Sequence, residues 1–228
     1  MTGPLVCHLV GTNCDPQKEW EFNVWYTTHH APLVLRGPAT AALRYQRLGD
    51  DTKYPKFLVS YEYENKNVFN DFLKSPLHQE VLDDQRDSWP EAGEYTEVWS
   101  VAYERVAKRG NGVNPLIIHL MGTNCPANTS EADYDKWYTY DHMVFMLRSP
   151  YIVESERFHR IGEDTSCPKF LAVYKFDNEL ALAESKKHFL AGLSTVDRRR
   201  YWPDWVWRRV WGRIYYKLMS KERKDLVV

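Results

Sequence analysis

The chain has 228 residues, 43% of them hydrophobic and 27% charged, the composition of an ordinary globular protein able to bury a full core. Lys and Arg number 30 against 31 Asp and Glu, so no net field draws the chain to nucleic acid or an anionic membrane. No apolar run approaches the ~20 residues of a membrane span, and Met1-Thr2-Gly3-Pro4 starts no secretory signal, so a cytoplasmic protein is expected.

Residues 5–10 form a short apolar run ending at Gly11, a strand signal. After a loop rich in Asn, Asp and Pro, Trp20, Phe22, Trp25, Tyr26, Leu33 and Val34 fall near helical spacing, which predicts one helix over 18–35, stopped at Gly37-Pro38. Residues 41–48 read as a second strand, followed by a turn at Gly49-Asp50-Asp51. Phe57, Val59, Tyr61 and Tyr63 alternate with Leu58, Ser60 and Glu62, a third strand. A second helix is expected over 65–74, then a connection through Ser88-Trp89-Pro90 and a final strand over 95–106. The order β-α-β-β-α-β is that of a ferredoxin-like unit.

The same series then returns. Gly11-Thr12-Asn13-Cys14 recurs as Gly122-Thr123-Asn124-Cys125, and Trp25-Tyr26-Thr27 with His30 as Trp137-Tyr138-Thr139 with His142. Pro55-Lys56-Phe57-Leu58 recurs as Pro168-Lys169-Phe170-Leu171, Trp89-Pro90 as Trp202-Pro203, and Trp99 as Trp211. A period this long is that of a small domain rather than a solenoid repeat. The expected fold is therefore α+β: two ferredoxin-like repeats, 1–109 and 113–218, packed sheet to sheet as an α+β barrel with a cavity between the sheets. Arg109-Gly110-Asn111-Gly112 is the expected linker, and 219–228 a loose C-terminal tail.

The matched polar residues are the candidates for chemistry. His30 and His142 end the first helix of each repeat, and a histidine moves protons near neutral pH. His8 and His119 sit on the first strands, where Val6, His8 and Val10 share a face, as do Ile117, His119 and Met121. Tyr61 and Tyr174 on the third strands are placed to donate a proton or orient a hydroxyl. Arg44 and Arg157 on the second strands are placed to hold a carboxylate or phenolate. His159 shares a face with Arg157, whereas Gln46 stands there in the first repeat, an asymmetry that favours one working site. Trp25, Trp137, Trp99 and Trp211, among 9 Trp, 15 Tyr and 9 Phe, suit a pocket for a flat aromatic ligand.

No pair has H-x-x-x-H or H-E-x-x-H spacing, and His29 and His30, adjacent on a helix, point apart, so no metal is expected. No Gly-rich loop follows a strand, and the cysteines (Cys7, Cys14, Cys125 and Cys167) form no C-x-x-C pair. Arg198, Arg199, Arg200, Arg208, Arg209, Arg213 and Lys217 interleave with Trp202, Trp205, Trp207 and Trp211. They align with a loop and last strand, so solvated or pocket-edge arginines are the simpler account than nucleic-acid binding.

The run Trp25-Tyr26-x-x-x-His30-x-Pro32-x-x-Leu35, followed by Arg44-Tyr45, resembles the signature of the dimeric α+β barrel superfamily and is most similar to its EthD-like branch. The second repeat departs from the motif at Met143-Val144. The resemblance implies a pocket-lining or catalytic histidine at His30 and a cavity-facing histidine on the first strand. It covers cofactor-free monooxygenases, cyclases, isomerases, dehydratases, lyases and heme enzymes such as chlorite dismutase-like proteins. The reading taken from it is a cofactor-independent lyase on a small, lignin-type phenolic compound, losing formaldehyde, CO2 or water by general acid–base chemistry, in a homo-oligomer. The alternatives are a cofactor-free or heme-dependent monooxygenase or oxidoreductase, or a non-catalytic ligand-binding protein. No cofactor is expected, with heme or a metal left open.

Overall fold

A computed structural model describes residues 5–87, 95–125, 127, 129–163, 165–192 and 209–224. Ser88-Trp89-Pro90, Trp202-Pro203 and the basic and aromatic residues from 197 to 208 lie outside the described residues. The chain divides into two compact units, residues 1–104 with 218–228, and residues 105–217.

In the first unit the opening apolar run is β1 (Val6–Cys14). A 3-10 turn follows, where Asp15 accepts the Gln17 N–H at 2.8 Å. The single helix expected over 18–35 is instead three segments: α1 (Glu19–Trp25), a π-helical turn (Tyr26–His30) and α2 (Ala31–Leu35). Apolar periodicity is nearly the same on both sides of the widened turn, so it carries no sign of it. Next come β2 (Ala41–Leu48), a turn at Gly49 with φ 84°, and β3 (Phe57–Tyr63). The expected second helix is α3 (Lys66–Leu73), capped by Asn65, whose Oδ1 accepts from Asn67 and Val68. Beyond it lies an unforeseen helix, α4 (Pro76–Asp87), which buries only Val81 among its hydrophobic residues and so lacks an apolar stripe. β4 (Tyr95–Gly110) completes the order.

The second unit repeats these steps with β5 (Ile117–Thr123), α5 (Glu131–Trp137), a second π-helical turn (Tyr138–His142) and α6 (Met143–Met146). β6 (Glu154–Arg160), β7 (Phe170–Phe176), α7 (Glu179–Gly192) and β8 (Arg209–Arg223) follow. In the first unit β1 lies between β3 and β4, with β2 beyond β3; in the second β5 lies between β7 and β8, with β6 beyond β7. The protein is thus a mixture of α and β with eight strands among the described residues.

One expectation is corrected here. Arg109 and Gly110 end a strand rather than form a linker, and residues 220–223 are strand rather than loose tail.

The repeated Gly-Thr-Asn-Cys segment is a structural clasp. A Cβ on Gly11 would lie 2.6 Å from Pro55 Cγ, and one on Gly122 2.4 Å from Pro168 Cγ. Asn13 Oδ1 accepts the Lys56 N–H at 2.8 Å, and Asn124 Oδ1 the Lys169 N–H at 2.7 Å. Trp99 and Trp211 close over the same two glycines. The strand carrying Gly-Thr-Asn is thereby fixed against the Pro-Lys-Phe turn.

Candidate functional site

Strand alternation decides where the candidates meet. His8 is in register with Tyr61, and Arg44 with Val59. On that face Phe57 meets Phe22 of α1 at 5.4 Å, and Tyr63 meets Phe69 and Phe72 of α3 at 5.0 and 5.6 Å between ring centroids. The histidine–tyrosine–arginine set therefore lies on the helix side of its sheet, not in the cavity expected between sheets. Trp99 and Trp211 pack with Gly11 and Gly122 on the opposite face, which separates them from the other candidates.

In the first unit the cluster is continuous. The Tyr61 hydroxyl donates to that of Tyr26 at 3.1 Å. Tyr26 meets the His30 ring edge-on at 5.0 Å, and Trp25 stacks on His30 at 4.8 Å. His30 Nδ1 shares a proton with Asp84 Oδ2 at 2.8 Å, while His29 Nε2 holds Asp84 Oδ1 at 2.7 Å. The expectation that His29 and His30 point apart is overturned: the π-helical turn bearing them and the two oxygens of one carboxylate bring both rings to Asp84. Asp84 is the member of this cluster that the sequence concealed, since it stands 54 residues from His30 on another helix. His8 lies 6.5 Å from Tyr61 and 5.5 Å from Phe69, with Nε2 3.0 Å from Ser100 Oγ.

The second unit repeats the rings. The hydroxyls of Tyr138 and Tyr174 are 3.1 Å apart, His142 stacks on Trp137 at 5.1 Å, and His119 stacks on Tyr215 at 4.6 Å. The arginines are engaged with their own helices rather than open to a ligand. Arg44 donates to Asn23 O, Asn23 Oδ1 and Thr27 Oγ1, with its guanidinium 4.4 Å from the Tyr26 ring. Arg157 and His159 both pair with Asp135, and Arg157 lies 4.2 Å from the Tyr138 ring. Each arginine clamps the helix that carries the π-helical turn to its strand.

Burial sets the proton states. It lowers His30 despite the opposing pull of Asp84, and with nearby His78 it lowers His8 to about 4. Both rings are neutral at neutral pH and able to accept a proton. Tyr26 is pushed up to about 12 by burial, and Tyr61 and Tyr174 also stand well above their usual value, so these phenols keep their protons and act as donors. Burial pushes Asp135 up, but hydrogen bonds from His159 and Arg157 outweigh it and hold the carboxyl below its ordinary value.

Heme fits these residues poorly. A macrocycle-wide void beside an axial histidine would leave its ring accessible, yet His30, His119 and His142 are only 4%, 7% and 9% exposed. His8 is more open, but its Nε2 is engaged with Ser100. Among the described residues no group of three or more His, Cys, Asp or Glu is placed to hold a metal ion, and no helix is long and apolar enough to cross a membrane.

No protein-family model matches the chain, and no curated protein matches it. Among solved structures it is similar to an anthrone oxidase-like protein, with TM-score 0.68 and 6% identity over 99% of this chain and 95% of that one. It is similar to a provisionally assigned monooxygenase from Fusobacterium nucleatum, with TM-score 0.60 and 9% identity over 98% and 96%. It also resembles a mutant chlorite dismutase from Candidatus Nitrospira defluvii, with TM-score 0.56 and 9% identity over 95% and 92%. At such identities the likeness establishes the α+β barrel fold shared with these structures. The expected lyase, with its loss of formaldehyde, CO2 or water, is overturned: these neighbours are described by oxidant chemistry.

Proposed function

We propose that the protein is an oxidase or monooxygenase that uses dioxygen on an electron-rich aromatic compound without a bound cofactor. The observation that carries this reading is the buried Tyr61–Tyr26–His30–Asp84 cluster of the first unit. Its tyrosines stay protonated, its histidine stays neutral, and a carboxylate orients that histidine. The likeness to an anthrone oxidase-like protein supports the substrate class: a ring system with an activated methylene or phenol.

His30 takes a proton from the substrate, and the Tyr26 hydroxyl, strengthened as a donor by the hydrogen bond it accepts from Tyr61, holds the oxygen on which negative charge develops. The resulting anion is delocalised over the ring and transfers electrons to dioxygen directly. For a ring methylene, CH2 and O2 become C=O and H2O, which balances without a further reductant. Substrate approaches from the more open edge at His8 and displaces ring packing at Tyr26, where the π-helical turn gives the helix slack. A homo-oligomer belongs to the same reading, supported by Trp20 and Val24, exposed one turn apart on α1.

The test is oxygen uptake with hydroxylated ring ketones of the anthrone type. His30→Ala should lower kcat by about 10²–10⁴, the weight of one placed proton-transfer group. A variant that keeps near-normal uptake would remove His30 from the reaction.

A further inference from the structure

We infer that His29, Asp84 and His30 form a proton relay joining the buried acid–base histidine of the first unit to bulk water. The inference rests on His30 as the base. Between taking the substrate proton and returning one to reduced oxygen, a base that is only 4% exposed equilibrates with bulk water only through a connected route. That route is present: His30 Nδ1 to Asp84 Oδ2 at 2.8 Å, then Asp84 Oδ1 to His29 Nε2 at 2.7 Å. The side-chain exposures rise in the same direction, 5% for His30, 7% for Asp84 and 57% for His29.

The steps balance. At rest His30 Nδ1–H and His29 Nε2–H both donate to the Asp84 carboxylate. His30, protonated at Nε2 by substrate, passes its Nδ1 proton to Asp84 Oδ2. His29 shifts to its Nδ1–H tautomer through water, the neutral carboxyl turns over and gives its proton to the vacated Nε2, and the imidazolium releases its Nδ1 proton to water, which restores Nε2–H. When dioxygen is reduced, His30 gives its Nε2 proton to the forming water and the relay, run inward, restores the Nδ1 proton, so no net proton is released. In the second unit Asp141 stands where His29 stands in the first, so no second imidazole lies at that position. A relay ending in an outer imidazole at this helix position is thus a feature of the first repeat.

The test follows the His30 Nδ1 proton by NMR in the whole protein, measuring its exchange with water in wild type and in His29→Gln, a substitution at an exposed position. Loss of the outer imidazole should slow exchange by about 10²-fold, the low end of a proton-transfer group's contribution, and free imidazole should restore it. Equal exchange in the two proteins, or resonances equally broadened, would overturn the relay. In oxygen uptake at low buffer, His29→Gln should fall similarly and recover with imidazole. The exchange measurement needs no turnover. Slowed exchange without oxygen uptake on any ring ketone would leave the relay standing and refute the oxidase reading alone.

Discussion

Replacing Asp84 by Asn removes the charge that organises the first-unit cluster while keeping its shape. The His30–Asp84 contact is a charge-assisted hydrogen bond at 2.8 Å between side chains 5% and 7% exposed, a class worth about 1.5–3 kcal/mol. The His29 contact involves a ring 57% exposed and adds only about 0.2–1 kcal/mol. An amide can still accept one of the two bonds, so about 1.5–3 kcal/mol, the worth of the buried charge-assisted bond, should be lost. For a chain of this size that lowers Tm by roughly 3–12 °C in a circular dichroism melt. The pH profile is the sharper readout. Asp84 raises His30 against the lowering effect of burial, so without the carboxylate the His30 pKa falls further. The acid limb of kcat/KM should move to lower pH, while kcat drops because the base is weaker. An acid limb that stays in place or moves up, or a Tm within about a degree of wild type, would refute the role given to Asp84.

Gly122→Ala should cost about 1–3 kcal/mol in thermal unfolding, because the new methyl group meets Pro168 Cγ at 2.4 Å and the Trp211 side chain at 3.0 Å; unchanged stability would remove the clasp from the account. Tyr61→Phe should lower oxygen uptake while shifting unfolding by only about 1 kcal/mol, the net worth of one hydroxyl hydrogen bond, and equal uptake would separate the tyrosine pair from the chemistry. Acid should weaken the fold below pH 6.5. The unfolded His8 binds a proton there, whereas the folded one does so only near 4, so stability present above 6.5 is lost on the way down to about 4. The full loss is at most about 3 kcal/mol, because the ring is partly solvated; Asp135, held low in the fold, adds to the loss at still lower pH. An absorption scan of purified protein should show no Soret band, and a stoichiometric heme would mean that the buried histidines open far more than their packing suggests.

Much of this was legible before any coordinates. Recurrence of Gly-Thr-Asn, Trp-Tyr-x-x-x-His and Pro-Lys-Phe-Leu pointed to the like order of strands and helices along the two units, and alternation over residues 57–63 determined which side chains of β3 share a face. Those signals are local: a strand's period of two and a matched series of turns survive without knowledge of what packs where. Which face meets the helices is not local. It was decided by Phe22, Tyr26, Phe69 and Phe72 folding over the Tyr61 side, which turned a cavity expected between sheets into a cluster under helices. The widened turns at Tyr26–His30 and Tyr138–His142 were equally hidden, because widening a turn barely changes the apolar pattern. Asp84 shows the limit most plainly. It sits on a helix without an apolar stripe, and only the packing of α4 against the π-helical turn sets its two oxygens on two adjacent histidines. Sequence spacing fixes neighbours along the chain; contacts between a carboxylate and rings 54 and 55 residues away exist only once the tertiary structure brings them together.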